Sequence, residues 1–226
     1  MSNTRCVILF VKLPEKGKVK SRLATRLDGD IVLRLYECMV LDAIDMLNSG
    51  HYSFRICFDP PEASDRIRQW LGHAYSYMPQ FGDDLGEKME QAFSRVFSEE
   101  VSEAILIGSD VPGVTSAIIK EAFEALATHD SVIGPASDGG YYLIGFRKGA
   151  LCPEIFHHMI WSTTVVFEET VRRLHQASRS VHVLPEKADV DRKEDLIMLL
   201  GQQRDGNAPI SRTLQYLNSI RSSILD

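Results

Sequence analysis

Residues 5–20 of this 226-residue chain spell RCVILFVKLPEKGKVK, an apolar and β-branched run followed at once by a loop rich in lysine, proline and glycine. Residues 5–11 are apolar apart from the first, which is typical of a parallel strand covered on both faces. The segment therefore predicts a buried first strand with a basic loop at its carboxyl end.

Strands and helices are predicted to alternate along the rest of the chain. Further short apolar runs occupy residues 54–58, 104–107, 131–134, 141–146 and 181–184. Segments with helical periodicity occupy residues 32–47, 64–71, 85–97, 115–127, 163–176, 193–200 and, as a C-terminal helix, 210–225. This alternation predicts one α/β domain over residues 1–226, a mostly parallel mixed β-sheet flanked by helices on both faces. Only residues 136–140 separate two strands, which indicates a hairpin or a strand that reverses direction.

The composition is that of an ordinary globular protein with net negative charge. The chain holds 25 Lys+Arg and 31 Asp+Glu, for a formal charge of −6. Coating nucleic acid needs a concentrated basic face, so we expect no nucleic-acid partner. The N-terminal apolar run is too short for a membrane span or a signal, and the four cysteines are spread apart, so we expect a cytoplasmic protein with buried free thiols. The oligomeric state stays unknown.

The charge is unevenly distributed along the chain. Residues 1–26 carry a net charge of +6 and residues 27–226 a net charge of −12. Ligands of open α/β sheets bind beyond the carboxyl ends of the strands, where the basic loop is expected. Pro14 and Gly17 favour a sharp turn there, and Lys18, Lys20 and Arg22 match the charge of a phosphate chain. The spacing is neither a P-loop nor a dinucleotide fingerprint, and a solvated basic loop is the alternative interpretation.

Aspartates follow two other predicted strands. Asp110 follows residues 104–107, and Asp189 and Asp191 follow residues 181–184. If Asp110 and Asp191 came within about 5 Å, they would repel each other by about 3 kcal/mol at an effective dielectric near 20. A divalent cation would remove that penalty, and oxygen ligands favour Mg²⁺ or Mn²⁺ over zinc. For Asp110, a helix cap or a turn is the commoner alternative.

A glycine-rich turn is predicted between the strands at 131–134 and 141–146. Residues 134–142 spell GPASDGGYY, in which the backbone amides after Asp138 can face a ligand and a tyrosine can stack on it. An ordinary hairpin would use the same Asp-Gly-Gly sequence. Residues 161–164, WSTT, are expected to line a pocket or to cap the helix that follows.

Together these segments resemble a bacterial family of proteins provisionally named nucleotide-diphospho-sugar transferases. The motifs that carry the resemblance are KxPxxGxVKSRL at 12–23, QxGxDLGEKM at 80–89, GSDxP at 108–112, GPAxDGGYYLIG at 134–145, WST at 161–163 and DVD at 189–191. The family usually has Thr in place of Ser21 and Arg in place of Lys88. It belongs to the GT-A-type superfamily, which also contains 2-phospho-lactate and molybdenum-cofactor guanylyltransferases, so a GT-A-like fold is implied.

The resemblance implies a metal-dependent transferase that moves a glycosyl group from a nucleotide-diphospho-sugar. It implies that Lys20 and Arg22 contact phosphate and that Asp110 and Asp191 bind Mg²⁺ or Mn²⁺. With the residue patterns it gives these predicted sites: catalytic Lys20, Asp110 and Asp138; nucleotide- or phosphate-binding Lys12, Gly17, Lys20, Ser21, Arg22, Gln80 and Ser109; donor- or acceptor-binding Asp138, Gly139, Gly140, Tyr141, Trp161, Ser162 and Thr163; metal-binding Asp110 and Asp191.

Two other functions remain open. The first is nucleotidyl transfer, in which an NTP reacts with a phosphorylated or hydroxylated small acceptor and releases pyrophosphate; the basic loop so close to the first strand favours it. The second is a non-catalytic nucleotide-sugar binding module, which would be expected to lack the metal carboxylates, and both are present here. The expected partners are thus a nucleotide sugar or NTP and a small-molecule acceptor.

Overall fold

The structure is a computed structural model, and it describes residues 4–202 and 211–225. Its strands are β1 Arg5–Lys12, β2 Phe54–Asp59, β3 Ser76–Pro79, β4 Glu103–Gly108, β5 Ser131–Pro135, β6 Tyr141–Arg147 and β7 Val181–Val183. Its α-helices are α1 Gly29–Ser49, α2 Ser64–Leu71, α3 Leu85–Phe97, α4 Ser116–Ala125, α5 Val166–Gln176, α6 Lys193–Gln202, α7 Arg212–Ser219 and α8 Arg221–Leu225.

The seven strands form one mixed sheet in the order β3-β2-β1-β4-β6-β5-β7. Strand β6 runs antiparallel to both of its neighbours, β4 and β5, and every other pair in the sheet is parallel. The predicted reversal at residues 136–140 is therefore confirmed. Gly139 allows it, because its φ of +89° lies in the left-handed region that suits glycine.

Helices cover both faces of the sheet, as the continuous apolar strands predicted. Alternate residues of β1 point to opposite faces. Val7, Leu9 and Val11 pack with α1, α2 and α4 in one core cluster. Cys6 and Ile8 pack with α3 in the other. The predicted α/β fold class is confirmed.

A third core cluster lies on the outer side of α1. Helices α6, α7 and α8 contribute Leu196, Leu200, Leu217 and Ile224, which pack against Leu35 and Met39 of α1. Leu23, Leu27 and Val190 belong to the same cluster. The C-terminal helices thus form an extra layer that also contacts the two chain segments carrying Arg22 and Asp191.

The structure differs from the predicted elements at three places. Strand β3 was not predicted, since it has only four residues and ends in a proline at the edge of the sheet. Helix α5 begins at Val166 because the chain turns before it, with Ser162 at φ +62°. The helix predicted over 210–225 is two helices, α7 and α8, with Ile220 between them, and its first residue lies outside the described residues.

Two other expectations are tested by the structure. All four cysteines are free and buried, as predicted. Among the residues that the structure describes, no helix is both long enough and apolar enough to cross a membrane.

Candidate functional site

The predicted site residues gather at one edge of the sheet. Lys20 follows β1, Asp110 follows β4, Asp138 lies in the turn after β5, and Asp189 and Asp191 follow β7. These four strands are parallel to one another, so their carboxyl ends share an edge. This is where ligands of open α/β sheets bind.

Lys20 joins two of these segments. Its Nζ lies 2.9 Å from Asp110 Oδ2 and 2.9 Å from Asp191 Oδ1. The lysine side chain is only 4% exposed, although both of its partners remain accessible to solvent. Its backbone lies in the left-handed region at φ +47°, which is uncommon for a residue with a side chain. The amine is therefore fixed between the two carboxylates that were predicted to bind metal.

The charges of Lys20 and its carboxylate partners determine the direction in which the pKa values of Lys20 and Asp110 are shifted. Burial by itself would lower the pKa of Lys20, but Asp110 and Asp191 outweigh it, and the pKa lies above its usual value. Burial by itself would raise the pKa of Asp110, but the Lys20 ammonium holds that pKa below its usual value. Lys20 and Asp110 are thus both charged at neutral pH. The Lys20 amine offsets the repulsion that is expected between the carboxylates of Asp110 and Asp191.

Arg22 is the second cation at Asp191. Its Nη1 lies 3.0 Å from Asp191 Oδ2, and its side chain is 52% exposed. Asp191 therefore has one basic partner on each oxygen, a buried amine and an accessible guanidinium. Of the two, the guanidinium is the one that an incoming anion can reach directly.

The other predicted phosphate-binding residues have different surroundings. Gly17, Ser21 and Lys12 are exposed, and Gly17 has a φ of +79° with open space at the position of a side chain. Gln80 is buried, and its side-chain amide donates to the Cys57 carbonyl at 2.7 Å, so this amide braces β2. Ser109 is also buried.

Asp191 also belongs to a group of three neighbouring carboxylates. Asp138, Asp189 and Asp191 each place one oxygen within 4.8 Å of the others. Burial raises the pKa of Asp189, and the charges of Asp138 and Asp191 raise it further. An all-oxygen set of this spacing has the donor chemistry that Mg²⁺ and Mn²⁺ prefer. The residues present therefore fit a hard divalent cation, with Asp191 common to this set and to the predicted pair.

The glycine-rich turn packs tightly against the chain before α5. Asp138 Oδ1 accepts from the Gly140 N–H at 2.8 Å, which fixes the turn. A Cβ on Gly139 would lie 2.2 Å from the Thr164 carbonyl oxygen, and the Gly139 carbonyl accepts from the Phe167 N–H at 2.9 Å. The predicted donor- or acceptor-binding turn is therefore in contact with the segment that follows Trp161.

Trp161 packs against Tyr141, the first residue of β6 after this turn. Their rings meet edge to face with centroids 6.5 Å apart, and the Tyr141 hydroxyl lies 3.7 Å from Met89 Sδ. The Trp161 Nε1 is buried and makes no hydrogen bond among the described residues. Ser162 is exposed, and the Thr163 hydroxyl donates to the Ile160 carbonyl at 2.8 Å. Tyr141 thus supports Trp161 from the core side.

Two features of the site were not predicted. Asp189 belongs to the DVD motif at 189–191 but was not among the predicted site residues, although the D-x-D spacing places both aspartates on one side of an extended chain. Asp59, at the carboxyl end of β2, pairs with Lys88 of α3 at 2.8 Å. An aspartate at the end of a predicted strand was the available signal, since Asp59 directly follows residues 54–58.

Comparison with solved structures gives matches over nearly the whole chain. A protein from Desulfovibrio desulfuricans G20, provisionally named a nucleotide-diphospho-sugar transferase, is 35% identical with a TM-score of 0.94, covering 100% of this chain and 98% of its own. A CMP:2-keto-3-deoxy-manno-octonic acid synthetase complexed with CTP is 8% identical with a TM-score of 0.56, covering 89% of this chain and 99% of its own. Rv0371C from Mycobacterium tuberculosis H37Rv, in complex with manganese, is 13% identical with a TM-score of 0.55, covering 89% of this chain and 100% of its own.

The last two matches show a common fold only. Comparison with the curated proteins gives no match. A family model described as "Uncharacterized protein conserved in bacteria (DUF2064)" matches residues 42–163, more than half of the chain. That match and the 35% identity over the full length to the Desulfovibrio protein lead to one conclusion. The chain belongs to the bacterial family DUF2064, and its fold is that of the nucleotide-diphospho-sugar transferases.

Proposed function

We propose that this protein is a transferase that uses a nucleotide-activated donor and moves a glycosyl group from a nucleotide-diphospho-sugar. The observation that carries the proposal is the cluster of Lys20 and Arg22 with Asp110 and Asp191 beyond the carboxyl ends of β1, β4 and β7. Two cations and several carboxylates at that edge suit a diphosphate with its counter-ion. The provisional name of the Desulfovibrio relative supports the same substrate class.

In this proposal the cations of the site stabilise the leaving group. Charge accumulates on the nucleoside diphosphate as the bond to the sugar breaks, and positioned cations lower the barrier most where charge develops. Arg22, half exposed, would meet the phosphate chain first, and the Lys20 amine lies directly behind it on Asp191. The Asp138 turn, packed against the segment after Trp161, would orient the sugar or the acceptor.

Asp110 and Asp191 would hold Mg²⁺ or Mn²⁺, and Asp138 and Asp189, each with an oxygen within 4.8 Å of one from Asp191, would be further oxygen donors. When bound, such a cation adds charge neutralisation at the diphosphate. The manganese complex of Rv0371C, a protein of the same fold, supports this assignment.

Nucleotidyl transfer from an NTP is the second candidate. The CTP complex of the synthetase with this fold favours it, together with the basic loop directly after β1. The two reactions differ in their products, because glycosyl transfer releases a nucleoside diphosphate and nucleotidyl transfer releases pyrophosphate.

The proposal is tested by a thermal-shift screen of NTPs and nucleotide sugars, with and without Mg²⁺, followed by mass spectrometry of the products. We expect stabilisation by at least one nucleotide, larger with Mg²⁺. Asp110→Asn and Lys20→Ala should remain folded, because each changes a loop residue that lies outside the apolar core clusters, but both should lose turnover. Full activity in either variant would contradict the role of that residue, and no metal effect on any ligand would contradict the carboxylate site.

A further inference from the structure

We propose that Lys20 is the internal counter-ion of this site: its amine holds Asp110 and Asp191 until a nucleotide phosphate chain draws it away, so that nucleotide and divalent cation bind with positive coupling. The inference rests on the proposed function for the identity of the anion. It adds a positioning role for one lysine and a predicted thermodynamic link between two ligands.

The contacts of Lys20 carry this inference. The amine is 2.9 Å from one oxygen of each carboxylate, and its side chain is 4% exposed. It is thus already shielded from solvent before any ligand arrives. With its side chain 4% exposed, the amine offers little surface to an incoming phosphate while both carboxylates retain it, and a metal ion cannot bind between the same two oxygens while the amine lies there.

A divalent cation and the ammonium therefore compete for Asp110 and Asp191. Two neighbouring carboxylates need positive charge, and either cation supplies it. Displacing the amine into an apolar or empty environment would leave a buried charge without a partner, which is costly. A phosphate chain provides that partner, so the exchange of amine for metal becomes favourable when the nucleotide is present.

Three local features are consistent with such an exchange. Lys20 has a left-handed backbone at φ +47°, a conformation that persists where surrounding contacts enforce it. Arg22 reaches the other oxygen of Asp191 and is 52% exposed, so a cationic group remains at Asp191 to receive phosphate at the surface. The carboxylates Asp138 and Asp189, each with an oxygen within 4.8 Å of one from Asp191, offer further oxygen ligands for the cation.

Reciprocity makes the coupling measurable from either ligand. If the nucleotide tightens metal binding by a given factor, the metal must tighten nucleotide binding by the same factor. Couplings of this kind are typically about 5- to 150-fold. Removing the amine should abolish the competition. The affinity for the divalent cation should then rise, and the affinity for the phosphate chain should fall.

The experiment measures Mn²⁺ binding to the full chain by the electron paramagnetic resonance of the free ion, with no phosphate present. We expect Lys20→Met to bind Mn²⁺ about tenfold tighter than the wild type, within the usual range of such couplings. Arg22→Met is the matched control. It also removes one cation from Asp191 but leaves the Lys20 amine in place, so its increase in Mn²⁺ affinity should be clearly smaller than that of Lys20→Met. Binding of inorganic pyrophosphate, followed by calorimetry, should be tightened by Mg²⁺ in the wild type and weakened in Lys20→Met.

Suppose that the wild type binds pyrophosphate but Lys20→Met binds Mn²⁺ no more tightly than the wild type does. That result would overturn the counter-ion role and leave the proposed function standing. Absence of pyrophosphate and nucleotide binding by the wild type, with or without Mg²⁺, would refute the proposed function and the coupling together. Circular dichroism checks the fold of each variant. If Lys20→Met does not fold, Lys20→Gln replaces it. The wild type by itself offers a further test: the thermal shift with Mn²⁺ and pyrophosphate together must exceed the sum of the shifts with each ligand alone.

Discussion

Gly139 is the residue at which the site depends most directly on backbone geometry. Its φ is +89°, and the carbonyl of Thr164 occupies the space where a Cβ would be. The turn that carries Asp138 is thus joined to the segment between Trp161 and α5 without any intervening side chain. This close approach holds the turn between β5 and β6 against the chain before α5.

Gly139→Ala should therefore be strongly destabilising. The left-handed backbone and a contact of 2.2 Å with Thr164 O add up to an expected loss of about 2–5 kcal/mol in the free energy of unfolding. Gly17→Ala is the matched control, because Gly17 has a φ of +79° but open space around it, and should cost only about 1–2 kcal/mol. Urea denaturation of both variants gives the comparison. Equal losses in the free energy of unfolding would mean that the turn moves away from Thr164 and relieves the contact with the new Cβ.

At the scale of elements, several family motif residues build the fold around the site. Asp84 caps α3 by accepting from the Glu87 N–H at 2.9 Å, and Glu87 accepts from the Asp83 N–H at 2.8 Å. The arrangement is similar to a capping box with aspartate as the cap, except that the return bond goes to the residue before the cap. Gly86 lies where a Cβ would be 2.8 Å from the Trp161 ring. The motif at 80–89 therefore fixes the start of α3 against the tryptophan.

Asp130 connects three strands at the opposite edge of the sheet. Its Oδ2 accepts from the Ser180 N–H at 3.0 Å, just before β7, and its Oδ1 accepts from Arg147, the last residue of β6. Hydrogen bonds from the Ser180 backbone, and then the Arg147 guanidinium, lower the pKa of Asp130 to about 2. Asp130 itself lies directly before β5. One carboxylate thus ties together β5, β6 and β7.

The lowered pKa predicts a pH dependence of stability. A carboxylate whose pKa is lower in the folded state stabilises the fold above its ordinary pKa near 4, and this contribution is lost as pH falls toward 2. Asp130→Asn should lower stability at pH 7 by about 1–2 kcal/mol, after allowance for solvent screening, and should reduce the loss between pH 4 and 2. Thermal melts across that range measure it. Ser180→Ala keeps the backbone N–H and should show a smaller change; an acid slope in Asp130→Asn equal to that of the wild type would contradict the assignment.

At the scale of the whole molecule, the C-terminal helices are linked to the site. Leu23, directly after Arg22, and Val190, directly before Asp191, lie in the same core cluster as Leu217 of α7. Asp42 of α1 anchors that helix by accepting from the Arg212 N–H at 2.8 Å and the Thr213 N–H at 2.9 Å. The outer layer therefore supports both chain segments that meet at the ion pairs of Asp191.

Leu217→Ala should accordingly affect the site from a distance. Both Leu217 and Leu174 are fully buried, and each substitution by alanine should cost about 2–5 kcal/mol. Leu174, on α5, lies in the cluster on the other face and is the matched control. We expect Leu217→Ala to increase hydrogen exchange at residues 20–27 and 190–192, and Leu174→Ala to leave those segments protected. Equal exchange in the two variants would show that the outer layer does not support the site.

The fold was predictable from sequence because its signals are local. Apolar continuity marked β1 and β4, helical periodicity marked α1 and α3, and the Asp-Gly-Gly turn marked the reversal into β6. Strand β3 was missed because a four-residue edge strand carries too little pattern to distinguish it from a loop. The edge holding the site followed from the predicted parallel direction of the strands, since parallel strands bring their carboxyl ends together.

The sequence by itself therefore determined the α/β class, the reversed strand and the set of charged residues that gather at one edge of the sheet. Only the tertiary structure decided how those charges pair. Lys20 lies between Asp110 and Asp191, while Asp138 and Asp189 each place an oxygen within 4.8 Å of one from Asp191. Element type depends on neighbours along the chain, which a sequence displays directly. The distance between side chains on different loops depends on the path of each loop and on what packs behind it, here the outer helical layer.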